Sequence, residues 1–418
     1  MVNYSPQYVD KFSCLGSKCH ETCCHGMYID VDKETHSKYQ KMKIDGIKNV
    51  PKLLVKKDNP TDQHFSLIKL KKDGYCSFLG KDGLCGIQKK YGENYLSNTC
   101  NSFPRKTISF VENKLVTLSM SCPEAARLCL SNKNSMEIFE DKFYKKKKIN
   151  LVSEKSEKYF DTSFATTGNL IINKVFELLK NDKINYINSL VIINKLLEEQ
   201  LNISQNPKQF DESYKFFYET FCDVDIISFD NFDLKILFLT DMFNIYDQVK
   251  FKSSWVNFSN HKLINLIKDS YHELVGRFDN VDDAVENLKK INQEYFCKFE
   301  QKNSHIFRNF FLNEILGYAH IVINKKPYNR YNFYMSIFLA TMSKMMLLGI
   351  CSKEKREPTL EDFVNVINRV ERSNQIFFQF GAHRKDKDFE MLFNLEILKF
   401  YDKIDKNSLF NSSLFVFG

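Results

Sequence analysis

At 418 residues, with 43% hydrophobic and 27% charged side chains, the chain is long for one domain and ordinary for a globular protein. That excludes wholesale disorder and leaves room for two or three compact units. A net charge of +8 is a mild basic bias at this length; it favours an acidic partner through long-range steering, yet no Arg-rich segment or nucleic-acid motif accompanies it, so no nucleic acid is expected.

The first ten residues, MVNYSPQYVD, lack the apolar core of a secretory signal, so a cytoplasmic location is expected. That compartment keeps thiols reduced, so the twelve cysteines point to thiol chemistry rather than disulfides. Nine fall in the first 129 residues: Cys14, Cys19, Cys23, Cys24, Cys76, Cys85, Cys100, Cys122 and Cys129. Cys222, Cys297 and Cys351 are scattered singly and, with Cys129, read as packing residues.

Cys14, Cys19, Cys23 and Cys24 are separated by four, three and zero residues; Cys76 and Cys85 flank the turn in CSFLGKDGLC; Cys100 lies in NTCNSFPR and Cys122 in MSCPEAARL. Thiolates are soft ligands for zinc or iron–sulfur centres, which need four donors converging from separate turns. The C-x2-C pairs common at zinc sites are absent and so is ferredoxin spacing, so spacing leaves both metals open. In extended backbone, neighbours such as Cys23 and Cys24 point to opposite sides, so the pair is expected to serve different metal atoms, or one to ligate while the other packs. His20 and His25 are alternative ligands, or hydrogen-bonding neighbours of the thiols.

Further along, Lys72-Asp73-Gly74, Gly80-Lys81-Asp82-Gly83 and Tyr91-Gly92 mark turns. Thr107–Val111 and Lys114–Ser119 read as a hairpin around Glu112-Asn113. Cys122-Pro123-Glu124 reads as a helix start, since Pro suits the first turn. The basic run Lys145–Lys148 reads as a solvated turn. Beyond residue 150 glycine becomes rare and helical periodicity takes over, in Leu170–Leu179, Leu190–Leu201, Ile236–Phe243, Val285–Phe299, Ile306–Val322 and Tyr334–Leu348. Thr359-Leu360-Glu361-Asp362 resembles a capping box opening a helix over Phe363–Phe378. The apolar stretch Phe333–Gly349 is shorter than the ~20 residues of a bilayer span and carries Lys344. It reads as a buried helix, with no membrane partner expected. The expected fold is mainly α: a small irregular α+β cysteine-rich metal domain over 1–135, then a larger all-helical domain over 150–418.

The segments YVDKFSCLGSKCHETCCHGMYIDVDKETHSKY (8–39) and CSFLGKDGLCGIQKKYGENYLSNTCNSFPR (76–105) resemble cysteine-rich zinc- or iron-chelating domains. SMSCPEAARLCL (119–130) resembles the flagellin lysine-N-methylase family, with weaker echoes in FRNFFLNEILGYA (307–319) and TLEDFVNVINRVERSNQI (359–376). The chain departs from the resemblance after Arg372, where Ser373 stands in place of a frequent His. The resemblance implies a protein-lysine N-methyltransferase that moves a methyl group from S-adenosylmethionine to ε-amines of surface lysines on flagellin. It also implies an iron–sulfur centre, 4Fe-4S in type with zinc as the alternative. Cys19, Cys23, Cys24, Cys76, Cys85 and Cys100 are the leading ligand candidates, with Cys14 and Cys122 behind them.

No G-x-G occurs in the chain, so the Gly-rich turn of a Rossmann-like cofactor site is missing; a cofactor site is expected between the metal and helical domains. Methyl transfer also needs a base for the substrate amine, and the sequence singles none out. The competing expectation is a non-enzymatic metalloprotein, a metal carrier or a partner-binding scaffold.

Overall fold

The computed structural model describes residues 2–27, 29–110, 113–140, 174–203, 207–223, 232–248, 254–317 and 330–383. The N-terminal part carries strands β1 (Val2–Pro6), β2 (Asp30–Val31), β3 (Leu54–Lys56), β4 (Ser66–Ile68), β5 (Arg105–Phe110), β6 (Asn113–Leu118) and β7 (Ile138–Glu140). Helices α1 (Gln7–Asp10), α2 (Lys33–Gln40), α3 (Gly86–Tyr91), α4 (Asn98–Ser102) and α5 (Pro123–Leu130) lie among them. After a helical stretch at 174–180 come α6 (Tyr186–Ile203), α7 (Pro207–Phe221), α8 (Phe232–Gln248), α9 (Ser254–Tyr271), α10 (Val281–Ile291), α11 (Cys297–Lys302), α12 (Ser304–Gly317), α13 (Arg330–Glu354) and α14 (Leu360–His383). The fold is mainly α with a β-containing N-terminal region, as expected. Residues 141–173, which hold the expected domain boundary and Lys145–Lys148, lie outside the described residues, as do the ends of the 170–179 and 306–322 helical readings.

One sheet has the order β5-β6-β1-β7, with β1 parallel to β6 and antiparallel to β7. The expected hairpin is β5–β6, paired from Arg105↔Leu118 to Phe110↔Asn113. Asn113, expected in the connection, is already the first residue of β6. A smaller antiparallel sheet, β2-β4-β3, lies beneath α2, whose N-cap Asp32 accepts the Thr35 N–H at 2.8 Å. It has its own core around Val31, Tyr39, Ile68, Phe78 and Ile87.

The larger core joins the first sheet and α5 to the helices: Tyr8, Leu118 and Leu130 share it with Leu190, Phe307, Leu347 and Phe363. Phe299 and Phe307 meet the Phe363 ring at 5.2 Å each, and each buried ring is worth roughly 1.5–3 kcal/mol. Side-chain amides of α12 sew the two parts together. Asn309 donates to the Cys129 and Asn132 carbonyls at 2.9 and 2.8 Å, satisfying the end of α5. Tyr8 donates to Asn313 Oδ1 at 2.5 Å and accepts the Leu118 N–H at 2.8 Å.

Several helices differ from their sequence reading: α7 and α9 have no counterpart in it, and α6, α8 and α14 extend beyond the expected stretches. Val285–Phe299 is not one α-helix: α10 ends at Ile291 and a π turn, Asn292–Phe296, leads into α11. The residue it inserts shifts the helical phase, and Phe296 lies fully buried 6.4 Å from both Phe307 and Phe363. α13 is longer than expected. Among the described residues, Met335–Glu354 is the one helix long and apolar enough, by length and composition, to cross a membrane, and it is buried inside the protein. Its polar groups are satisfied locally: Thr341 and Ser343 donate to the Ile337 and Leu339 carbonyls, and Lys344 pairs with Glu300 at 3.7 Å. Gly349 lets α9 approach, since a Cβ there would stand 2.5 Å from Ser270 Oγ. The capping box is present: Thr359 Oγ1 accepts the Asp362 N–H and Asp362 accepts the Thr359 N–H at 2.7 Å.

Candidate functional site

The eight candidate cysteines sit on four loop segments. Cys14, Cys19, Cys23 and Cys24 lie between α1 and β2; Cys76 and Cys85 bound a turn leading into α3; Cys100 is on α4; Cys122 is the N-cap of α5. All twelve cysteines are free thiols. The segments converge because their turns interlock. The Cys76 N–H donates to the Cys24 carbonyl at 2.7 Å, and Leu79 bridges to Cys85. Gly83 adopts φ +75° at the tip of the turn, where Ser17 packs beside it. Gly86 opens α3 so tightly that a Cβ would stand 2.9 Å from Ile44 and 3.3 Å from the Phe78 carbonyl.

Two neighbouring groups of thiols result. Cys76 is part of the smaller core, with Cys24, Cys85 and Cys100 packed against it. Cys122 packs against the larger core, and Cys19 and Cys23 both oppose its ionisation, as Cys14 and Cys23 do that of Cys19. Cys23 is felt by both groups. Backbone N–H groups two residues on face several sulfurs: Gly16 N–H toward Cys14 at 3.4 Å and Phe78 N–H toward Cys76 at 3.5 Å. The Ile87 and Glu124 amides do the same for Cys85 and Cys122. Such donors stabilise negative sulfur, as thiolate-ligated centres require.

Burial nonetheless dominates, pushing Cys76 and Cys122 up to about 12 and Cys85 and Cys100 upward as well. Without a cation these thiols hold their protons. Cys23 is the exception, lowered to about 7 by its hydrogen bond with Cys24 and by Arg372, which burial only partly offsets. The Cys23-Cys24 pair lies in a turn rather than extended backbone, so the expected opposed orientation gives way to contact between the two thiols. Among the described residues, no three His, Cys, Asp or Glu side chains are already gathered to hold a metal ion. The donor chemistry and the convergence of turns fit a thiolate centre; closing it requires the sulfurs to draw together.

His20 and His25 are both engaged elsewhere, His20 with Asn365 Oδ1 at 3.1 Å and His25 with the Asp73 carbonyl at 3.3 Å while resting on Tyr75. Cys129 is buried in α5, its thiol facing Met136 Sδ and the Asn309 carbonyl at 3.7 Å, and Cys351 lies in the larger core, as packing residues do.

The residues that sequence reading missed come from the helices. Arg372 of α14 reaches the cysteine loop, donating to the Ser121, Glu21 and Thr22 carbonyls at 3.1, 3.1 and 2.8 Å. Its guanidinium also pairs with the Glu21 carboxylate at 3.5 Å, which Lys262 contacts from α9. Burial pushes the Glu21 carboxyl up, but Lys262 and Arg372 outweigh it and hold it below its ordinary value. Next to Arg372, Glu371 is buried near Glu314 of α12. A charged residue inside an apolar periodic run was the available signal for both glutamates.

Lys262, Glu314, Glu371 and Arg372 lie within residues 173–377, which match the family model of the FliB lysine N-methylase C-terminal domain. The flagellar biosynthetic protein FliU of Salmonella muenchen is 36% identical over 148 residues, covering 34% of this chain and 86% of that protein. The chain belongs to the FliB lysine N-methylase family. The lysine-N-methylases of Salmonella typhimurium (strain LT2) and Salmonella choleraesuis are 37% identical over 139 residues, 32% of this chain. That match spans 34% of those two relatives' own length. No solved structure matches the chain. The family expectation drawn from the cysteine segments is met, and the expected enzyme class, protein-lysine N-methyltransferase, is that of the family.

Proposed function

We propose that the protein methylates ε-amines of surface lysines on flagellin, using S-adenosylmethionine as the methyl donor and carrying an iron–sulfur centre in its N-terminal cysteine loops. The observation that supports this reading is family membership, in which a lysine N-methylase domain match and a flagellar biosynthetic relative coincide in one chain. The alternative, a metal carrier or scaffold, rests on the thiols alone and leaves the 173–377 match without a role.

In this reading Cys24, Cys76, Cys85 and Cys100 would hold a 4Fe-4S centre, with zinc the alternative metal; Cys14, Cys19, Cys23 and Cys122 form a second thiol set beside them. A bound centre would cross-link turns that otherwise share only backbone hydrogen bonds and a small core. Arg372 and Asn365 tie that region to α14, so the helical domain and the thiol loops are positioned as one unit. The target ammonium must lose a proton before its nitrogen can take a methyl group, which requires a base in a site that water does not fill.

Mass spectrometry of native flagellin from cells with and without this protein tests the reading. Lysines of the exposed outer domain are expected to carry increments of about 14 Da only when the protein is present. Identical flagellin masses in the two strains contradict it.

A further inference from the structure

Where α12 and α14 both pack against α5, and α12 also against β6, two carboxylates are buried side by side. Glu314 is 0% exposed and Glu371 1%. The Asn313 amide is a neighbouring donor for Glu314, but neither Glu314 oxygen sits in a well-formed hydrogen bond, nor does Oε1 of Glu371. A buried polar atom left in this condition costs about 1–3 kcal/mol, so the arrangement opposes folding and calls for a reason outside stability.

A second observation points to the ligand. Lys106 of β5, half-buried, is the cation that both carboxylates feel, and its ammonium lies 3.7 Å from where a Cβ of Gly317 would stand on α12. Lys106 pairs in register with Thr117 of β6, so both side chains leave the hairpin on the same face. Thr117 is 0% exposed and its hydroxyl has no partner either. Two carboxyls that feel this alkylammonium and the hydroxyl of its cross-strand neighbour thus supply four unsatisfied oxygens. Once ionised, these carboxyl oxygens only accept; what complements that form is a cation carrying several N–H donors.

We propose that Glu314, Glu371 and Thr117 form the subsite that receives the ε-ammonium of the target lysine, and that Glu371 takes its proton. The proposal rests on the methylase reading and deepens it by naming the substrate group and its base. The step balances: the Glu371 carboxylate becomes a carboxylic acid and the ammonium a neutral amine. The freed lone pair forms the N–C bond as the S–C bond of a methylsulfonium donor breaks, releasing a thioether and a methylated ammonium.

The surroundings suit this exchange. Burial pushes Glu371 up to about 8, with Glu314 adding to the rise and Lys106 opposing it. Burial also raises Glu314, against Lys106 and the Asn313 amide. The other titratable groups facing the pair, Tyr8 of α1 and Cys129 of α5, are raised by burial and stay neutral. Desolvation lowers an incoming ammonium as it raises a carboxyl, which brings donor and acceptor closer together. Because Glu371 is protonated below about 8, the base form grows in as pH rises toward that value, and methylation should rise with it.

The test uses the full chain, labelled with carboxyl-13C glutamate and titrated with n-butylammonium, with tetramethylammonium as a control cation lacking N–H donors. Butylammonium is expected to shift the Glu314 and Glu371 resonances, assigned with Glu314→Gln and Glu371→Gln; tetramethylammonium is expected to leave them in place. Binding should weaken at least tenfold in either Gln variant and severalfold in Thr117→Val, a milder change that serves if a Gln variant does not fold. Unmoved resonances, equal shifts from the two cations, or undiminished binding in the variants overturn the subsite. Butylammonium binding without flagellin methylation retains the subsite and removes the methylase reading. Methylation whose pH profile is unchanged in Glu371→Gln does the reverse.

Discussion

Replacing Arg372 with Ala should lower the unfolding free energy by roughly 3 kcal/mol, in the range for breaking one side of a buried charged network. The guanidinium makes hydrogen bonds to three carbonyls on two segments and meets the Glu21 carboxylate as well. Removing it takes the donor from the Ser121 and Thr22 carbonyls at the junction of α14 with the cysteine loop, while Glu21 keeps Lys262 and the Cys19 thiol. Lys should not rescue, because a single ammonium on a flexible stem cannot span acceptors that a planar fork reaches together. The same variant should hold metal less well, since Thr22 and Glu21 lead directly into Cys23 and Cys24. Urea denaturation and metal content check both effects. A loss below about 1 kcal/mol, typical of an exposed ion pair, would show that Arg372 does not anchor the loop.

The other large effect concerns the thiols themselves. Protein purified without oxygen should hold iron and show a broad brown absorption band, and Cys76→Ser or Cys100→Ser should strip it. Both side chains are tied to the smaller core, and metal binding at such a site is folding free energy, so the loss should also loosen the surrounding turns. Cys24 and Cys85, in the same thiol group, should behave similarly. Cys222→Ser, outside the loop cluster, should retain metal fully. Zinc at stoichiometry in place of iron would replace the metal assignment and keep the thiol reading. Full metal retention in Cys76→Ser and Cys85→Ser together would remove the ligand map.

Most helices were legible because a buried face repeats every three to four residues, and the β5–β6 hairpin because two β-rich runs flank a short polar gap. Local chemistry also spoke correctly at Pro123, which opens α5, and at Thr359 and Asp362, which cap α14. What stayed hidden depends on partners far along the chain. Arg372 drew notice only for the residue following it, since nothing near position 372 announces that its side chain ends at Glu21 and Thr22. Glu314 and Glu371 each interrupt an apolar run, but their proximity exists only once α12 and α14 pack against the same helix, α5. The phase shift at Asn292–Phe296 follows from fitting Phe296 among rings of two other helices, which no local periodicity encodes. The cysteine array was legible as an array, whereas its partition between a small core and the domain junction was not, because that depends on how the turns interlock.

The most direct measurement incubates purified, metal-loaded protein with S-adenosylmethionine and monomeric flagellin and reads the product by intact-mass and peptide mass spectrometry. Increments of about 14 Da confined to lysines are the expected result, from the mass of a methyl group replacing a hydrogen. Unmodified flagellin, together with no binding of S-adenosylmethionine by the same metal-loaded preparation, would contradict the account.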